Sequence, residues 1–209
     1  MKVLELFAGS RSFGKAAESL GFDVFSSDIN DFANIDYVVD ILEFDTNKLP
    51  FKIDVIWASP PCTTYSIAAI SHHRPHNKPL SDFAIKSDNM VKKTISIIKE
   101  LNPKYWYIEN PRGKLRKLEF MQPLPRTTVW YCTYGDKRAK PTDIWTNNLR
   151  SVFNPNGWQP RPECFNGNKN CHHEAAPRGS RTGTQGLKGN YERSKIPNEL
   201  CLEILKTMK

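Results

Sequence analysis

Short apolar runs alternate with helix-like segments over the first half of the chain. The runs that predict strands are VLELFA, FDVFSS, YVVDI, IDVIWA and KYWYIE. Phe13, Ala16, Ala17 and Leu20 share one face of a predicted helix, and residues 82–101 have the apolar spacing of a long amphipathic helix. Because apolar strands alternate with helices, we predict an α/β fold with a doubly wound, mostly parallel sheet.

The regular alternation of apolar strands and helices ends at about residue 125. The segments TTVWYCTYG and DIWTN predict a β-hairpin or two short strands. Residues 150–190 are rich in Pro, Gly, Asn, Arg and Lys, and the chain closes on an amphipathic helix with Ile196, Leu200, Ile204 and Leu205 inward. We therefore expect a main domain over 1–149, a small irregular basic insert over 150–185, and a segment over 186–209 that packs back on the main domain.

Charge is distributed unevenly along the chain, whose net charge is +8. Residues 1–60 hold 5 Lys or Arg against 10 Asp or Glu, and residues 61–209 hold 25 against 12. A basic C-terminal two-thirds predicts a face that binds a polyanion, although scattered lysines on a basic protein give the same numbers. No run is apolar enough for a membrane span, no signal peptide is evident, and the five cysteines are an odd count. These features favour a reducing compartment, and we expect a cytoplasmic protein without membrane contact.

Turns and acids follow the first three predicted strands. In an open parallel sheet, ligands bind beyond the carboxyl ends of the strands. The turn Phe7-Ala8-Gly9-Ser10 leads into a helix, where backbone can approach a ligand. Asp28 follows about 20 residues later, where an acid can bind ribose hydroxyls, and Asp40 has the same status after strand three. The alternative is that both acids only cap exposed loops.

Two further strand ends carry reactive side chains. Cys62 follows two prolines, and a cysteine on a stiff loop near cationic groups can have a lowered pKa and act as a nucleophile. Glu109 follows the run YWYI, and a carboxyl at the end of a hydrophobic strand can have a raised pKa and donate a proton. The alternatives are a buried, inert cysteine and an acid paired with Arg112 or Lys114.

The order of these motifs resembles the DNA (cytosine-5-)-methyltransferase family. LELFAGSRSFGKAAESLGF resembles its first motif, SPPCTTYS its Pro-Cys loop and YIENPRG its Glu-Asn motif. TYGDKRAKPTDIWT and RSKIPNELC are similar to its late motifs. The sequence departs from the family at Thr63, where Gln is usual, in a first motif that reads GSRSF rather than GxGG, and in a target-recognition region of only about 35 residues.

The resemblance implies a Rossmann-like S-adenosylmethionine-dependent methyltransferase fold and a chemistry. The target cytosine is flipped out of the duplex, Cys62 attacks its C6, and Glu109 protonates or hydrogen-bonds N3. Arg138 or Lys140 holds the pyrimidine or its phosphate. The methyl donor S-adenosylmethionine is bound by Asp28 at its ribose and Asp40 at its adenine. The other donor-binding residues that the resemblance implies are Phe7, Ala8, Gly9, Ser10, Ile29, Ile41 and Pro60.

The small insert contains a candidate metal site. Cys164 and Cys171 with His172 or His173, together with the upstream Cys132, could supply four tetrahedral zinc ligands. A structural zinc would explain how a segment without apolar periodicity becomes ordered. The alternative is a pair of free cysteines beside two solvated histidines.

The basic residues beyond this site predict contact with DNA. Arg178, Arg181, Lys188 and Arg193 are interleaved with Gly, Ser and Thr, which suits phosphate contacts, and Gln185 is a candidate base reader. The short recognition region predicts a short target, low specificity or a partner subunit. A compact enzyme of this kind fits a phage, virus or mobile element that modifies its DNA against restriction, acting in the host cytoplasm. Two alternatives stay open: cytosine in RNA or a free nucleotide as substrate, and a non-catalytic DNA-binding relative.

Overall fold

The computed structural model describes residues 1–66, 70–75, 78–174, 187 and 189–208. Within these ranges the chain forms a seven-stranded sheet in the order β3-β2-β1-β4-β5-β7-β6. The strands are β1 (Lys2–Leu6), β2 (Asp23–Asp28), β3 (Tyr37–Val38), β4 (Val55–Ala58), β5 (Tyr105–Pro111), β6 (Arg126–Trp130) and β7 (Pro141–Thr146). The helices are α1 (Ser12–Ser19), α2 (Ile70–His73), α3 (Asp82–Leu101), α4 (Asn190–Ser194) and α5 (Asn198–Lys206).

The sheet is parallel from β3 to β5 and antiparallel at β7 and β6. The predicted doubly wound, mostly parallel α/β fold and the predicted hairpin are therefore confirmed. The third strand is shorter than the run YVVDI suggests, because the Asp40 side chain accepts a hydrogen bond from the Leu42 backbone N–H at 3.1 Å. That local bond starts a 3₁₀ turn over Ile41–Glu43 and so competes with further pairing in the sheet.

Helices cover both faces of the sheet. On one face α1 and α5 pack together, and Phe13 of α1 stacks on Trp57 of β4 with ring centroids 4.4 Å apart. On the other face α3 buries Val91, Ile97 and Ile98. The four residues predicted to face inward in the last segment are all buried. The chain end therefore packs beside its beginning, as expected.

The described part of the predicted insert packs against α5. The Trp158 side chain is buried, and its indole N–H donates to Glu203 at 3.2 Å. The Arg161 guanidinium bridges Glu199 and Glu203, each at 2.8 Å. Residues 158–161, which precede Cys164, therefore lie against α5. The predicted domain boundaries stay a prediction. No helix in the described part of the chain has the length and apolar character needed to cross a bilayer.

Candidate active site

The carboxyl ends of β1, β2, β4 and β5 lie at one edge of the sheet, together with the end of β6 and the start of β7. In open α/β sheets this edge is where ligands bind. Strand order therefore brings the predicted site residues that stand at strand ends to the same edge of the sheet.

The turn after β1 has an unusual backbone. Phe7, Gly9 and Arg11 all have a positive φ, between 48° and 56°. Left-handed conformation costs a residue other than glycine about 1–2 kcal/mol, so surrounding contacts must hold this turn. The Gly9 N–H donates to the Asp28 carboxylate at 3.0 Å, which joins the first turn to the end of β2. Among the described residues, a Cβ at Gly9 would meet only the Phe7 carbonyl at 3.9 Å, so this part of the chain leaves the space above the glycine open.

Buried polar groups hold the crowded first motif in place. The Arg11 side chain is buried, donates to Ser26 Oγ at 2.9 Å and pairs with Glu18. Glu5 accepts from the backbone N–H groups of Phe13 and Gly14, each at 3.1 Å. Burial raises the pKa of Glu5 to about 7, although these two hydrogen bonds lower it. The sequence GSRSF is thus accommodated by contacts on the protein side of the turn.

The other predicted donor-binding residues differ in exposure. The Ile29 side chain follows Asp28 and is 59% exposed, so an apolar surface is available there. Ile41 is buried in the core, so only its backbone remains for a ligand. Asp40 pairs with Lys86 at 2.8 Å, and this hydrogen bond, with that from Leu42, holds the pKa of Asp40 below its usual value.

The loops that carry Cys62 and Glu109 are fastened to one another. The Asn110 amide donates to the Pro60 carbonyl at 2.8 Å. A Cβ at Gly113 would lie 2.5 Å from the Tyr65 carbonyl oxygen, so glycine is required where the two loops touch. The Cys62 carbonyl accepts from the backbone N–H groups of Tyr65 and Ser66, at 3.0 and 3.1 Å, which closes a 3₁₀ turn over Thr63–Tyr65.

Cys62 is exposed as a residue, and its thiol lies in a charged environment. The surrounding protein raises the pKa of the thiol by desolvation, and the negative charge of Glu109 raises it further. Lys140 and Arg193 act in the opposite direction. Burial lowers the pKa of Lys140, while the charge of Glu109 raises it. Cys62, Glu109 and Lys140 therefore form one electrostatic group, which brings together a thiol, a carboxylate and an ammonium group.

Sequence reasoning missed Tyr131. The buried Tyr131 hydroxyl donates to Glu109 at 2.9 Å, and its ring lies 4.5 Å from Lys140 Nζ. Burial raises the pKa of Tyr131 well above its usual value, so this hydroxyl is a donor. The contact depends on the register of β5, β7 and β6, which no local motif encodes.

Arg138 and Lys140 tie the loop before β7 to the C-terminal segment. Arg138 is buried, and its guanidinium donates hydrogen bonds to both oxygens of the Asp136 carboxylate. It also donates to the carbonyls of Arg193 and Lys195, each at 3.1 Å. Lys140 Nζ donates to the Arg193 carbonyl at 3.1 Å. The Arg138 guanidinium thus binds groups of the protein itself. Lys140 is the positive charge that lowers the pKa of Cys62 most. Arg178, Arg181, Gln185 and Lys188 lie outside the described residues.

The candidate metal ligands converge beside this loop. Cys132, Cys164, Cys171 and His173 offer ligand atoms that all lie within 4.8 Å of one another, and Cys164 Sγ is 3.7 Å from His173 Nδ1. Tetrahedral zinc with about 2.3 Å bonds to sulfur needs such spacing, about 3.8 Å between sulfurs. His172 turns away, with Nε2 3.2 Å from the Asp136 carbonyl. Of the two neighbouring histidines, only His173 belongs to the cluster.

Comparison with known proteins adds relatives to this geometry. The family described as "C-5 cytosine-specific DNA methylase" matches residues 1–119. A protein of Frog virus 3 (isolate Goorha), named "Probable DNA (cytosine-5)-methyltransferase", is 31% identical over 221 residues, covering 98% of this chain and 99% of its own length.

Solved structures resemble the fold. A prophage-encoded E. coli protein described as a DNA modification methyltransferase matches with a TM-score of 0.56 and 16% identity, over 78% of this chain and 52% of its own. The S. pombe Dnmt2 methyltransferase matches with a TM-score of 0.50 and 14% identity, over 70% and 48%. The chain spans about half the length of these two proteins.

Proposed function

The chain belongs to the C-5 cytosine-specific DNA methylase family, and we propose that it methylates C5 of cytosine in DNA with Cys62 as nucleophile. The observation that carries this proposal is geometric. At the edge where the sheet binds ligands, the Asn110–Pro60 hydrogen bond joins the Cys62 loop to the strand of Glu109, and Tyr131 contacts both Glu109 and Lys140. S-adenosylmethionine is the methyl donor of this family, so the chain is a transferase with DNA as its expected substrate.

Each residue of the electrostatic group has a role in the proposed reaction. The cytosine must leave the stack, because its C5–C6 edge is unreachable inside a duplex. Cys62 Sγ, as thiolate, forms a bond to C6, and the C5–C6 π electrons move towards C5 and N3. Glu109 holds a proton at N3 and so neutralises this charge. With the donor bound, C5 would take its methyl group as the methyl–sulfonium bond breaks, which would leave the donor as a neutral thioether. Loss of the C5 proton to water then re-forms the C5–C6 double bond and breaks the C6–S bond, so Cys62 leaves as thiolate and the N3 proton returns to Glu109.

Tyr131 and Lys140 support the two reacting side chains. The Tyr131 hydroxyl keeps the Glu109 carboxyl in one orientation through its hydrogen bond. Lys140 favours the thiolate form of Cys62, because it lowers the thiol pKa. We assign the pyrimidine or its phosphate to Lys140 first, since the Arg138 guanidinium is already engaged, and we give Arg138 the role of fixing this loop.

The residues at the ends of β1 and β2 fit the methyl donor, which supplies an electrophilic methyl group when bound. The open space above Gly9 lets a ligand pass close to the backbone of Phe7–Ser10. Asp28 Oδ1 accepts two hydrogen bonds from Asn30 and Oδ2 accepts one from the Gly9 N–H, so among the described contacts Oδ2 keeps about one lone-pair site for a ribose hydroxyl. The exposed Ile29 offers an apolar face for adenine. Asp40, the backbone of Ile41 and Pro60 complete the proposed donor site.

The DNA face is assigned to the basic residues near the C-terminal segment. Arg193 lies close enough to Cys62 to lower its pKa, which favours phosphate contact beside the flipped base. The predicted DNA contacts within residues 178–188 extend this assignment. A recognition region this short fits a short target sequence, low specificity or a partner subunit that supplies recognition. Kinship with a viral protein supports action in a host cell cytoplasm on the DNA of a virus or mobile element.

Covalent trapping tests the nucleophile and the substrate together. We expect a duplex that contains 5-fluorocytosine to form a stable adduct with the protein and S-adenosylmethionine, because the fluorine at C5 cannot leave as the proton does. Mass spectrometry of the digested complex should place the nucleotide on Cys62. Single-stranded DNA and RNA that contain 5-fluorocytosine, and 5-fluoro-dCTP, are tested separately as alternative substrates. An adduct with RNA or the nucleotide alone would replace DNA as substrate, and donor binding without any adduct would favour a non-catalytic relative.

We further propose that Cys132, Cys164, Cys171 and His173 hold a structural zinc ion. Three thiolates and one imidazole are a donor set that zinc prefers, and the ligands come from β6's end and from the insert. The cluster touches the loop before β7, since the Glu174 N–H donates to the Lys137 carbonyl at 2.9 Å. The ion would thus fix both the insert and the loop that carries Lys140.

Metal analysis separates the two histidines. We expect about one zinc per purified chain, and His173→Gln should weaken zinc affinity by more than the about 10–100-fold that loss of a second-shell partner costs. His172→Gln is the matched control and should keep its zinc, because that side chain points to a carbonyl instead. Elemental analysis and competition with a chromogenic chelator measure both. Equal zinc content in His173→Gln and wild type would contradict this assignment.

A further inference from the structure

Arg74 is a charged side chain with no exposed surface. Its side chain is 0% exposed, and its partner Asp88 on α3 is 11% exposed. Arginine is almost never fully buried unless its charge and its N–H groups are satisfied. The placement of this residue therefore depends on a specific set of partners.

The partners of Arg74 come from two separate segments. The guanidinium forms a forked pair with Asp88, through Nη1 at 3.1 Å and Nη2 at 2.6 Å, and Nη2 also donates to the Ala84 carbonyl at 3.2 Å. Nε donates to the Thr64 carbonyl at 3.0 Å, and Nη2 reaches Thr64 Oγ1 at 3.3 Å. Arg74 thus joins helix α3 to the 3₁₀ turn that follows Cys62.

Tyr65 reinforces the same connection. The Arg74 guanidinium lies 4.6 Å from the centre of the Tyr65 ring, and the Tyr65 hydroxyl donates to Asp88 at 2.9 Å. Tyr65 is fully buried, and its carbonyl is the atom that Gly113 contacts after β5. The turn is therefore held from α3 on one side and from the loop after Glu109 on the other.

These contacts bear directly on Cys62. The Cys62 carbonyl accepts hydrogen bonds from the N–H groups of Tyr65 and Ser66, so the cysteine backbone moves with the turn. Within the described residues, the Arg74 partners on this segment are two and three residues from Cys62 in sequence. A shift of the turn on α3 would displace the sulfur relative to Glu109.

Stability alone does not explain this arrangement. Well-packed apolar residues often replace a buried ion pair without loss of stability, whereas a planar arginine fork fixes the geometry of several partners at once. We propose that Arg74 is a positioning residue, which fixes the Thr63–Tyr65 turn on α3 and so sets the position of the Cys62 sulfur for attack on C6. This inference rests on the proposed role of Cys62.

Arg74→Lys keeps the charge and removes the fork, so it tests position rather than charge. A displacement of about 1 Å at reacting atoms costs about 10²-fold in rate, and we expect a loss of that order in kcat with KM for DNA and donor affinity nearly unchanged. Adduct formation with the 5-fluorocytosine duplex should slow by the same factor. Donor binding by calorimetry and thermal unfolding complete the comparison.

Arg161→Lys is the matched control. Arg161 also lies 4.6 Å from a tyrosine ring, that of Tyr134, pairs with two acids and donates to the Thr133 carbonyl. Its partners lie on α5 and in the turn after β6, not in the Thr63–Tyr65 turn. Its replacement should leave kcat unchanged. If Arg74→Lys loses no more rate than Arg161→Lys, the positioning role is wrong.

A second variant covers the case in which Arg74→Lys does not fold. The double variant Arg74→Met/Asp88→Leu removes both buried charges and should fold. We expect it to bind the donor and to lose about 10²-fold in kcat, and a folded double variant with wild-type kcat would overturn the inference. Alkylation of Cys62 by iodoacetamide, followed by peptide mass analysis, requires no DNA. If wild type proves inactive but the Arg74 variants alkylate Cys62 at a different rate from wild type, the proposed function fails and the positioning of Cys62 by Arg74 stands. If the variants and wild type alkylate at the same rate, the positioning role is wrong.

Discussion

Replacing Cys62 with alanine is expected to lower methyl transfer by about 10⁴–10⁶-fold, the loss seen when a covalent nucleophile is removed. The reason is that, in the proposed reaction, the reactivity of C5 depends on the bond that Cys62 Sγ forms to C6. The fold should persist, because Cys62 is exposed. Initial rates with labelled donor and duplex DNA measure the effect.

Cys201→Ala serves as the control for cysteine loss. Cys201 is buried between α5 and the sheet and has no part in the proposed reaction. It should keep most of its rate if the protein remains folded. Retention of more than a tenth of the wild-type rate in Cys62→Ala, with donor affinity intact, would contradict the assignment of the nucleophile.

Replacing Glu109 with glutamine is expected to lower kcat by about 10²–10⁴-fold, the range of a lost general acid. Glutamine keeps the size of the side chain and can still accept from Tyr131, but it cannot hold an acidic proton at N3. Donor binding should not change, because Glu109 lies in β5, whereas the proposed donor turn follows β1. Single-turnover rates with saturating DNA isolate the chemical step.

Glu119→Gln is the matched exchange at an exposed acid, in the turn that precedes β6. It should leave the single-turnover rate unchanged. An equal, small effect of both exchanges would mean that N3 is neutralised by another group. Loss of donor binding in Glu109→Gln would instead indicate a structural role for the carboxyl.

The parallel half of the fold could be predicted because its signals are local. Apolar strands ended by glycine, proline or acids alternate with helices, and this pattern gave the helix over 82–101 at its observed bounds. The third strand was predicted too long, because the hydrogen bond from Leu42 to Asp40 starts a turn that hydrophobicity does not reveal. The antiparallel addition of β7 and β6 was accessible only as a hairpin, since strand order depends on packing across the sheet.

The candidate site could be predicted where one residue type at a strand end carries the chemistry, as at Cys62 and Glu109. Contacts between distant segments could not. Tyr131 reaches Glu109 through the register of the antiparallel strands, and Arg74 reaches Thr64 through the packing of α3. The choice of His173 over His172 is of the same kind, because adjacent histidines differ only in the direction that the backbone gives each ring.

The turn after β1, where we propose that the methyl donor binds, shows a further limit of motif reading. The family pattern has glycine where Arg11 stands, yet Arg11 adopts the left-handed conformation that favours glycine. Its buried hydrogen bond to Ser26 and its pair with Glu18 offset the backbone cost of about 1–2 kcal/mol. A departure from the motif is thus compensated by residues that are distant from it in sequence.

Nucleoside analysis of methylated DNA is the most direct measurement. Wild-type protein, labelled S-adenosylmethionine and mixed-sequence duplex DNA would be incubated, and the DNA digested to nucleosides and separated by mass. The proposed function predicts label in 5-methyl-2′-deoxycytidine with wild-type protein and no label there with Cys62→Ala. Label in another nucleoside, or in 5-methylcytosine made equally well by Cys62→Ala, would contradict it.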